Sequence, residues 1–526
     1  MIFLAKLFQI KKMKTLNYRV ILIFILVTST KIFSQADSRW FLLPDGLGLQ
    51  NQLEYSYNVE NKIEILENWL TLDYNNNIFS AGLRFEVFQP NDPDPSISRG
   101  KVKYADIAYK YIAVDIGDVE EGININVGNY YKLFGRGLVL KSYEDRNIRV
   151  DNNLLGVKVE ANYMGFTLSA LSGSAANAVN ERQDILHAAD LQYTGFDLIK
   201  LGTTFASNLP STDGVARTSL ASLRIQPSYW NFDGYAEYGI KSNKDIQSQI
   251  FNNDEWKIGE AFYGSLNFYY DAFSIVGEYK YYDNYAFTSS DGTIYYNTPP
   301  SLRKEYTYVL LNRHPSPLDQ SNEEGYALEV NYNFSDETSF IANYGITQTL
   351  PTSSYYQRVN DVSLPITTQL EEVFLQATHN WNKSFTTIAA FGYNQELSTN
   401  TKNITPILEN KFYFDDINTI KLVLEHQQTE NLSTDEKYYD DVINIEYLRS
   451  PNFSVAVVAE LQTKEPEPGN VVRKFWSFIQ FGYKIGNHTD LSLLLGTRQA
   501  GNICIGGICR YEPAFQGVEI KMLTRL

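Results

Sequence analysis

From Gly325 to Phe334 every second residue is large and apolar. Tyr326, Leu328, Val330, Tyr332 and Phe334 share one face, and Ala327, Glu329, Asn331 and Asn333 share the other. Side chains alternate between the two faces of a strand, so this pattern commits the segment to a sheet with one apolar and one polar side. After Ser335-Asp336 the alternation resumes through Phe340, Ala342, Tyr344 and Ile346. It recurs in Ile443, Ile445 and Tyr447, turns at Pro451-Asn452, and continues in Phe453, Val455, Val457, Ala459 and Leu461. A third pair runs Ile479, Phe481, Tyr483 and Ile485, then Gly486-Asn487, then Leu491, Leu493 and Leu495. The 38 Tyr and 30 Phe, against 4 Met, suit strands. Tyr also suits a membrane boundary, where one end of the ring is apolar and the other wet.

Alternation alone also fits a soluble sandwich; the connections separate the two. Short turns fall near 163–165, 194–197, 227–231, 271, 335–337, 382–384, 416–417, 450–452 and 486–488. Longer polar loops fall between them, at 174–185, 207–217, 241–256, 283–324, 347–367, 396–406, 429–438, 463–470 and 499–513. Transmembrane barrels alternate tight periplasmic turns with longer outer loops. They are closed because an open sheet edge would leave backbone groups unpaired in hydrocarbon. Nine hairpins between about 153 and 498 give 18 strands. Five more precede them, at about 49–58, 64–75, 78–88, 104–114 and 122–132, and Phe515 to Leu526 supplies the last. The expected fold is all-β: a single transmembrane antiparallel up-and-down barrel of about 24 strands, within a range of roughly 22–26. Both termini then face the periplasm. Alternation begins near residue 49, which leaves no room for a separate plug domain.

The N-terminus carries its own signal. Lys11, Lys12, Lys14 and Arg19 precede the apolar run Val20 to Val27, and Phe33-Ser34-Gln35 follows. This is a secretory signal peptide, 1–34, ahead of a mature barrel, 35–526. The apolar run is too short to span a bilayer, and no later segment is a transmembrane helix. Removing 1–34 takes away six Lys/Arg and no acid, so the net charge goes from −16 to −22. Such a chain is not expected to bind nucleic acid, which wants a basic patch. Its expected surroundings are outer-membrane lipid. The strand Gly517 to Leu526 places Val518, Ile520, Met522 and Leu526 on one face. It resembles the C-terminal signal read by the barrel-insertion machinery, with Leu526 where an aromatic residue is usual.

The run Gly135-Arg136-Gly137-Leu138-Val139-Leu140-Lys141-Ser142-Tyr143-Glu144-Asp145-Arg146, with Val150-Asp151-Asn152-Asn153-Leu154-Leu155-Gly156 after it, resembles a Bacteroidota-type family of outer-membrane β-barrel proteins catalogued as a domain of unknown function. Asn312-Arg313-His314 with Asn322-Glu323-Glu324-Gly325 resembles a second segment of that family, and Thr524-Arg525-Leu526 resembles its ending. The resemblance implies a barrel and an outer-membrane address, and no activity.

Arg136, Lys141, Glu144, Asp145, Arg146, Arg149 and Asp151 form the candidate charge cluster. Its segment is either a solvated outer loop or an inward fold that narrows a pore, since charged rings are how pores select. Cys504 and Cys509 fall in one outer loop of an exported chain, so a local disulfide is expected. Asn91-Asp92-Pro93-Asp94-Pro95 offers oxygen ligands but lacks the calcium-loop Gly and terminal Glu, and reads as a plain acidic loop. Of His187, His314, His379, His426 and His488, none sits in a recognisable nucleophile arrangement. No catalytic residue, metal or cofactor is expected. The expected function is a porin-like channel for small solutes. The alternative is a scaffold or accessory subunit of an outer-membrane complex, docking through loops 283–324 and 347–367 and the cluster Tyr281, Tyr282, Tyr285, Tyr295 and Tyr296. A rim enzyme using His314 is the remaining reading.

Overall fold

The computed structural model describes residues 45–91, 104–177, 180–211, 214–215, 217–243, 257–313, 318–350, 366–397, 399–465, 473–505, 508–512 and 514–526. The expected signal peptide, 1–34, and residues 92–95 of the acidic loop lie outside them. The chain runs through β1 (Leu47–Asn58), β2 (Ile63–Asn75), β3 (Phe79–Pro90), β4 (Tyr104–Gly117) and β5 (Gly122–Tyr130). Four two-residue strands follow within one insert: β6 (Lys132–Leu133), β7 (Lys141–Ser142), β8 (Glu144–Asp145) and β9 (Val150–Asp151). Then come β10 (Leu154–Tyr163), β11 (Phe166–Ser174), β12 (Ile185–Tyr193), β13 (Ile199–Leu209), β14 (Thr218–Tyr229), β15 (Phe232–Asn243), β16 (Gly259–Tyr270) and β17 (Phe273–Asp283). A second insert carries the short helix α1 (Val309–Asn312). It leads into β18 (Asn322–Asn333), β19 (Thr338–Gln348), β20 (Thr368–Asn382), β21 (Phe385–Glu396), β22 (Thr401–Tyr413), β23 (Asn418–Asn431), β24 (Lys437–Arg449), β25 (Phe453–Gln462), β26 (Phe475–Ile485) and β27 (Thr489–Arg498). A small hairpin, β28 (Gly501–Ile505) and β29 (Ile508–Glu512), precedes β30 (Phe515–Arg525).

Twenty-four of these strands form one antiparallel sheet. It closes where β1 pairs with β30, from Gln50 opposite Arg525 to Asn58 opposite Gly517. The expected count of about 24 therefore holds. β5 pairs directly with β10, so the 131–153 insert leaves the ladder and returns to it without breaking the ring. All connections at one end are two to five residues long, and β1 begins and β30 ends there. The long connections lie at the other end, with exceptions. The expected longer loops 396–406 and 429–438 are tight: β21 ends at Glu396 and β22 resumes at Thr401, while β23 ends at Asn431 and β24 resumes at Lys437. Their polar residues misled because they sit within strands. Thr401, Asn403, Thr405, Gln427 and Thr429 are buried on the inner face, where a lumen takes polar side chains.

The outer face is apolar. On β18, Tyr326 and Leu328 are 50% and 46% exposed, while Ala327 between them is 6% exposed. A band of ring contacts lies near the short-turn end: Phe166 with Tyr193 at 4.5 Å, Phe232 with Phe268 at 4.7 Å, Phe385 with Phe412 at 4.8 Å, and Tyr193 with Phe196 at 5.0 Å. A second, sparser band includes Phe262 with Tyr279 and Tyr326 with Tyr344. Phe262 and Tyr270 lie on one strand, which separates the bands by roughly 20 Å along the barrel axis at the usual strand rise and tilt. That is the layout of a lipid-facing band with aromatic girdles. No helix among the described residues is long and apolar enough to cross a membrane.

Candidate functional site

The lumen is where the sequence puts its unusual residues. After β5, Gly135 and Gly137 take φ of +52° and +84°, a conformation that favours glycine, and turn the chain inward. Leu138, Val139 and Leu140 are then fully buried. They pack with Tyr235, Tyr263, Tyr282, Tyr285, Phe287 and Tyr296. Burial of each such aliphatic side chain is worth about 1.5–3 kcal/mol. The segment is therefore no solvated outer loop. Three consecutive apolar residues in a supposedly wet loop were the signal for it.

The second insert, 284–321, joins the first. Lys141 N–H donates to Tyr296 O at 2.9 Å, and Thr298 N–H donates to Gly137 O at 3.2 Å. The Asn297 amide donates to Leu138 O at 3.0 Å and Tyr285 O at 3.1 Å. The second insert then reaches another stretch of the wall. The Glu425 carboxylate on β23 accepts the Val309 and Leu310 N–H groups at 3.0 and 2.8 Å. Tyr306 donates to Glu372 on β20 at 3.1 Å. Arg313 grips Glu460 on β25 with both terminal nitrogens, one at 2.7 Å. Leu311 lies so close to Gly392 on β21 that a Cβ there would collide with it.

The first insert is bolted to β1–β3. Arg84 on β3 meets three carboxylates: Glu86 at 2.7 Å, Glu144 at 2.8 Å and Asp151 at 2.7 Å. Arg146 pairs with Glu144 at 2.8 Å, donates to Gln52 at 2.6 Å and lies over the Trp69 ring at 4.9 Å. Arg149 holds both oxygens of Glu67 on β2, at 2.5 and 2.8 Å. Four of the seven expected residues, Glu144, Arg146, Arg149 and Asp151, thus converge here. The other three do not. Arg136 lies over Tyr235 at 5.2 Å, Lys141 lies over Tyr143 at 4.6 Å, and Asp145 accepts the Asn147 N–H at 2.9 Å. Burial lowers the Lys141 amine below its usual range, against the pull of Asp145 and Glu305. Glu67, Arg84 and Glu86 complete the cluster and were missed. Their only trace in sequence is a charge in the middle of an expected strand.

The Glu86, Glu144 and Asp151 oxygens lie close enough together to hold a cation. Arg84 pairs with all three and donates hydrogen bonds to Glu144 and Asp151, so its guanidinium supplies that positive charge. Another tie joins the 175–184 connection to the second insert. Asp184 accepts Ser290 N–H at 2.6 Å and Ser290 hydroxyl at 2.7 Å, and the Asn177 amide donates to Asp291 at 2.9 Å. Burial pushes both carboxyls up. Hydrogen bonds outweigh it, holding Asp184 below its usual range and Asp291 at about 2.

A family match spans residues 19–526. The chain belongs to DUF6029, a family of unknown function. No curated protein matches the sequence. Among solved structures, the P pilus usher (PapC) translocation pore is similar at TM-score 0.47 and 10% identity, over 91% of this chain and 98% of that one. The copper transporter OprC gives TM-score 0.45 and 10% identity, over 91% and 80%. The FrpB iron transporter from Neisseria meningitidis (F5-1 variant) gives 0.40 and 10%, over 92% and 83%. At this distance the function of a DUF6029 barrel has to be argued from its own residues.

The histidines of this DUF6029 chain are scattered. His379 bonds to Thr338 at 2.8 Å and meets Trp381 edge-on; His426 bonds to Asp441 at 2.7 Å and stacks on Tyr439. His187 lies in β12 and His488 in the turn after β26, while His314 lies outside the described residues. β28 and β29 place Cys504 directly opposite Cys509 in register.

Proposed function

We propose that this chain is a non-catalytic channel for small solutes in the outer membrane of a Bacteroidota-type envelope, with its lumen narrowed by two inward inserts. One observation carries the reading: 131–153 and 284–321 hydrogen-bond to each other and to inner-face residues on β1–β3 and β20–β25. Barrels of 16–18 strands already leave an aqueous channel, so in a 24-strand ring the inserts set what passes. The apolar band and aromatic girdles support the membrane. In this reading the short turns and both termini face the periplasm, and β30 is what the insertion machinery recognises. The expected Cys504–Cys509 disulfide would brace the rim hairpin. The tyrosine patch expected for the scaffold reading is mostly covered. Tyr282, Tyr285 and Tyr296 are buried among the inserts, and of the five tyrosines only Tyr295 is largely exposed.

Liposome swelling tests the proposal. Vesicles holding the purified protein are expected to swell in a monosaccharide and to swell progressively more slowly in longer oligosaccharides. Vesicles with confirmed insertion that swell in none of them would contradict it.

A further inference from the structure

A cavity of about 380 Å³ lies against the short-turn side of the first insert. Lys132, Phe134 and Arg136 of the insert line it, with Asp190, Arg224 and Tyr235 from the wall. Most of its charges are spoken for. Arg224 grips Asp190 at 2.5 and 2.7 Å. Lys132 and Lys158 share the single carboxylate of Glu160. Glu237 beneath Gly135 is 1% exposed and is held by the hydroxyls of Ser222 and Tyr235.

Arg136 differs from these. Its main-chain N–H donates to the Tyr235 hydroxyl at 3.1 Å and its guanidinium lies over the Tyr235 ring, so the side chain is positioned. It is exposed to the lumen, and it forms no ion pair among the described residues. The first insert's other arginines, Arg146 and Arg149, both do. Of the residues that line the cavity three are cations, Lys132, Arg136 and Arg224, and one is a carboxylate, Asp190. That is a local positive excess in a chain whose net charge is −16.

We propose that this cavity binds a small organic anion, with the Arg136 guanidinium taking its carboxylate or phosphate. A guanidinium presents a planar fork of N–H donors that fits either oxyanion with two hydrogen bonds. The volume lies in the range of small-molecule sites and exceeds what an inorganic ion fills. Leu133, Phe134 and the Tyr235 ring give the remainder of such a solute an apolar wall. The proposal rests on the lumen being a solute path, and it names the class of solute: anionic and organic, met on the short-turn side of the insert.

Calorimetry on the detergent-solubilised full-length protein tests it with succinate and glycerol phosphate, using succinamide and glycerol as uncharged counterparts. Saturable binding is expected for the anions and not for the neutral pair. Arg136→Ala is expected to weaken it at least tenfold, and Arg136→Lys by less, because an ammonium keeps the charge and loses the fork. Arg136 is exposed and bears no wall strand, so heat-modifiable migration of both variants should match the wild type. Absence of saturable binding for both anions, equal binding of the neutral compounds, or undiminished binding by Arg136→Ala would each overturn the site. Anion binding without liposome swelling would leave this site standing and remove the channel.

Discussion

Arg84→Met loosens the 141–153 half of the first insert from the β1–β3 wall. Arg84 is 4% exposed and, among the described residues, is the only cation that touches all three of Glu86, Glu144 and Asp151. Without it three carboxylates face one another, with Arg146 still paired to Glu144. Removing one partner of a buried ion pair costs about 3–5 kcal/mol. Glu144 and Asp151 retain 21% and 31% side-chain exposure, so water offsets part of this and the lower end applies, about 3 kcal/mol. That is roughly a 100-fold rise in the detached population. Hydrogen exchange of the 141–153 amides should speed up by about that factor, with the barrel strands unchanged. Arg146→Met should do far less, because Arg146 is partly exposed and reaches one carboxylate. Equal protection in Arg84→Met and wild type would remove the latch.

Glu323→Ala should destabilise the barrel more than any exposed substitution, by about 3–5 kcal/mol. Lys280 on β17 and Glu323 on β18 are 1% and 2% exposed and pair with each other. Glu323 also accepts the Asp319 N–H at 2.6 Å where the second insert rejoins the wall. Its removal strands a buried ammonium and orphans that donor. The double change Lys280→Met with Glu323→Leu removes both charges together and should recover most of the loss, since buried pairs replaced by apolar residues are often neutral or better. Urea unfolding in lipid vesicles, followed by Trp fluorescence, gives both values. A double variant no more stable than Glu323→Ala would show that the loss does not come from the stranded charge.

The wall was readable because its information is local. Tyr326 through Phe334, or Phe453 through Leu461, declare a strand and its faces within ten residues. The inserts were not, because their partners are remote. Nothing near Glu144 or Asp151 indicates that Arg84, 60 residues away, will meet them, and Arg149 meets Glu67 across 82. Composition pointed the wrong way twice. The tyrosines near 281–296 look like an exposed docking patch, yet most fill the lumen, which a 24-strand ring leaves wide enough to need filling. The Thr and Asn around 401–405 look like a loop, yet they are the inner face of a strand. The second error has a plain cause: a barrel has a polar inside, so polarity does not mark the outside.

In the proposed channel the inserts, and not the ring, limit passage. Single-channel conductance in planar bilayers tests it most directly, comparing the wild type with a variant in which Phe134 to Asn152 is replaced by a Gly-Ser linker of similar span. With insertion of both confirmed by heat-modifiable migration, the wild type should conduct weakly and the variant severalfold more strongly. Equal conductance in the two, or none in either, would contradict it.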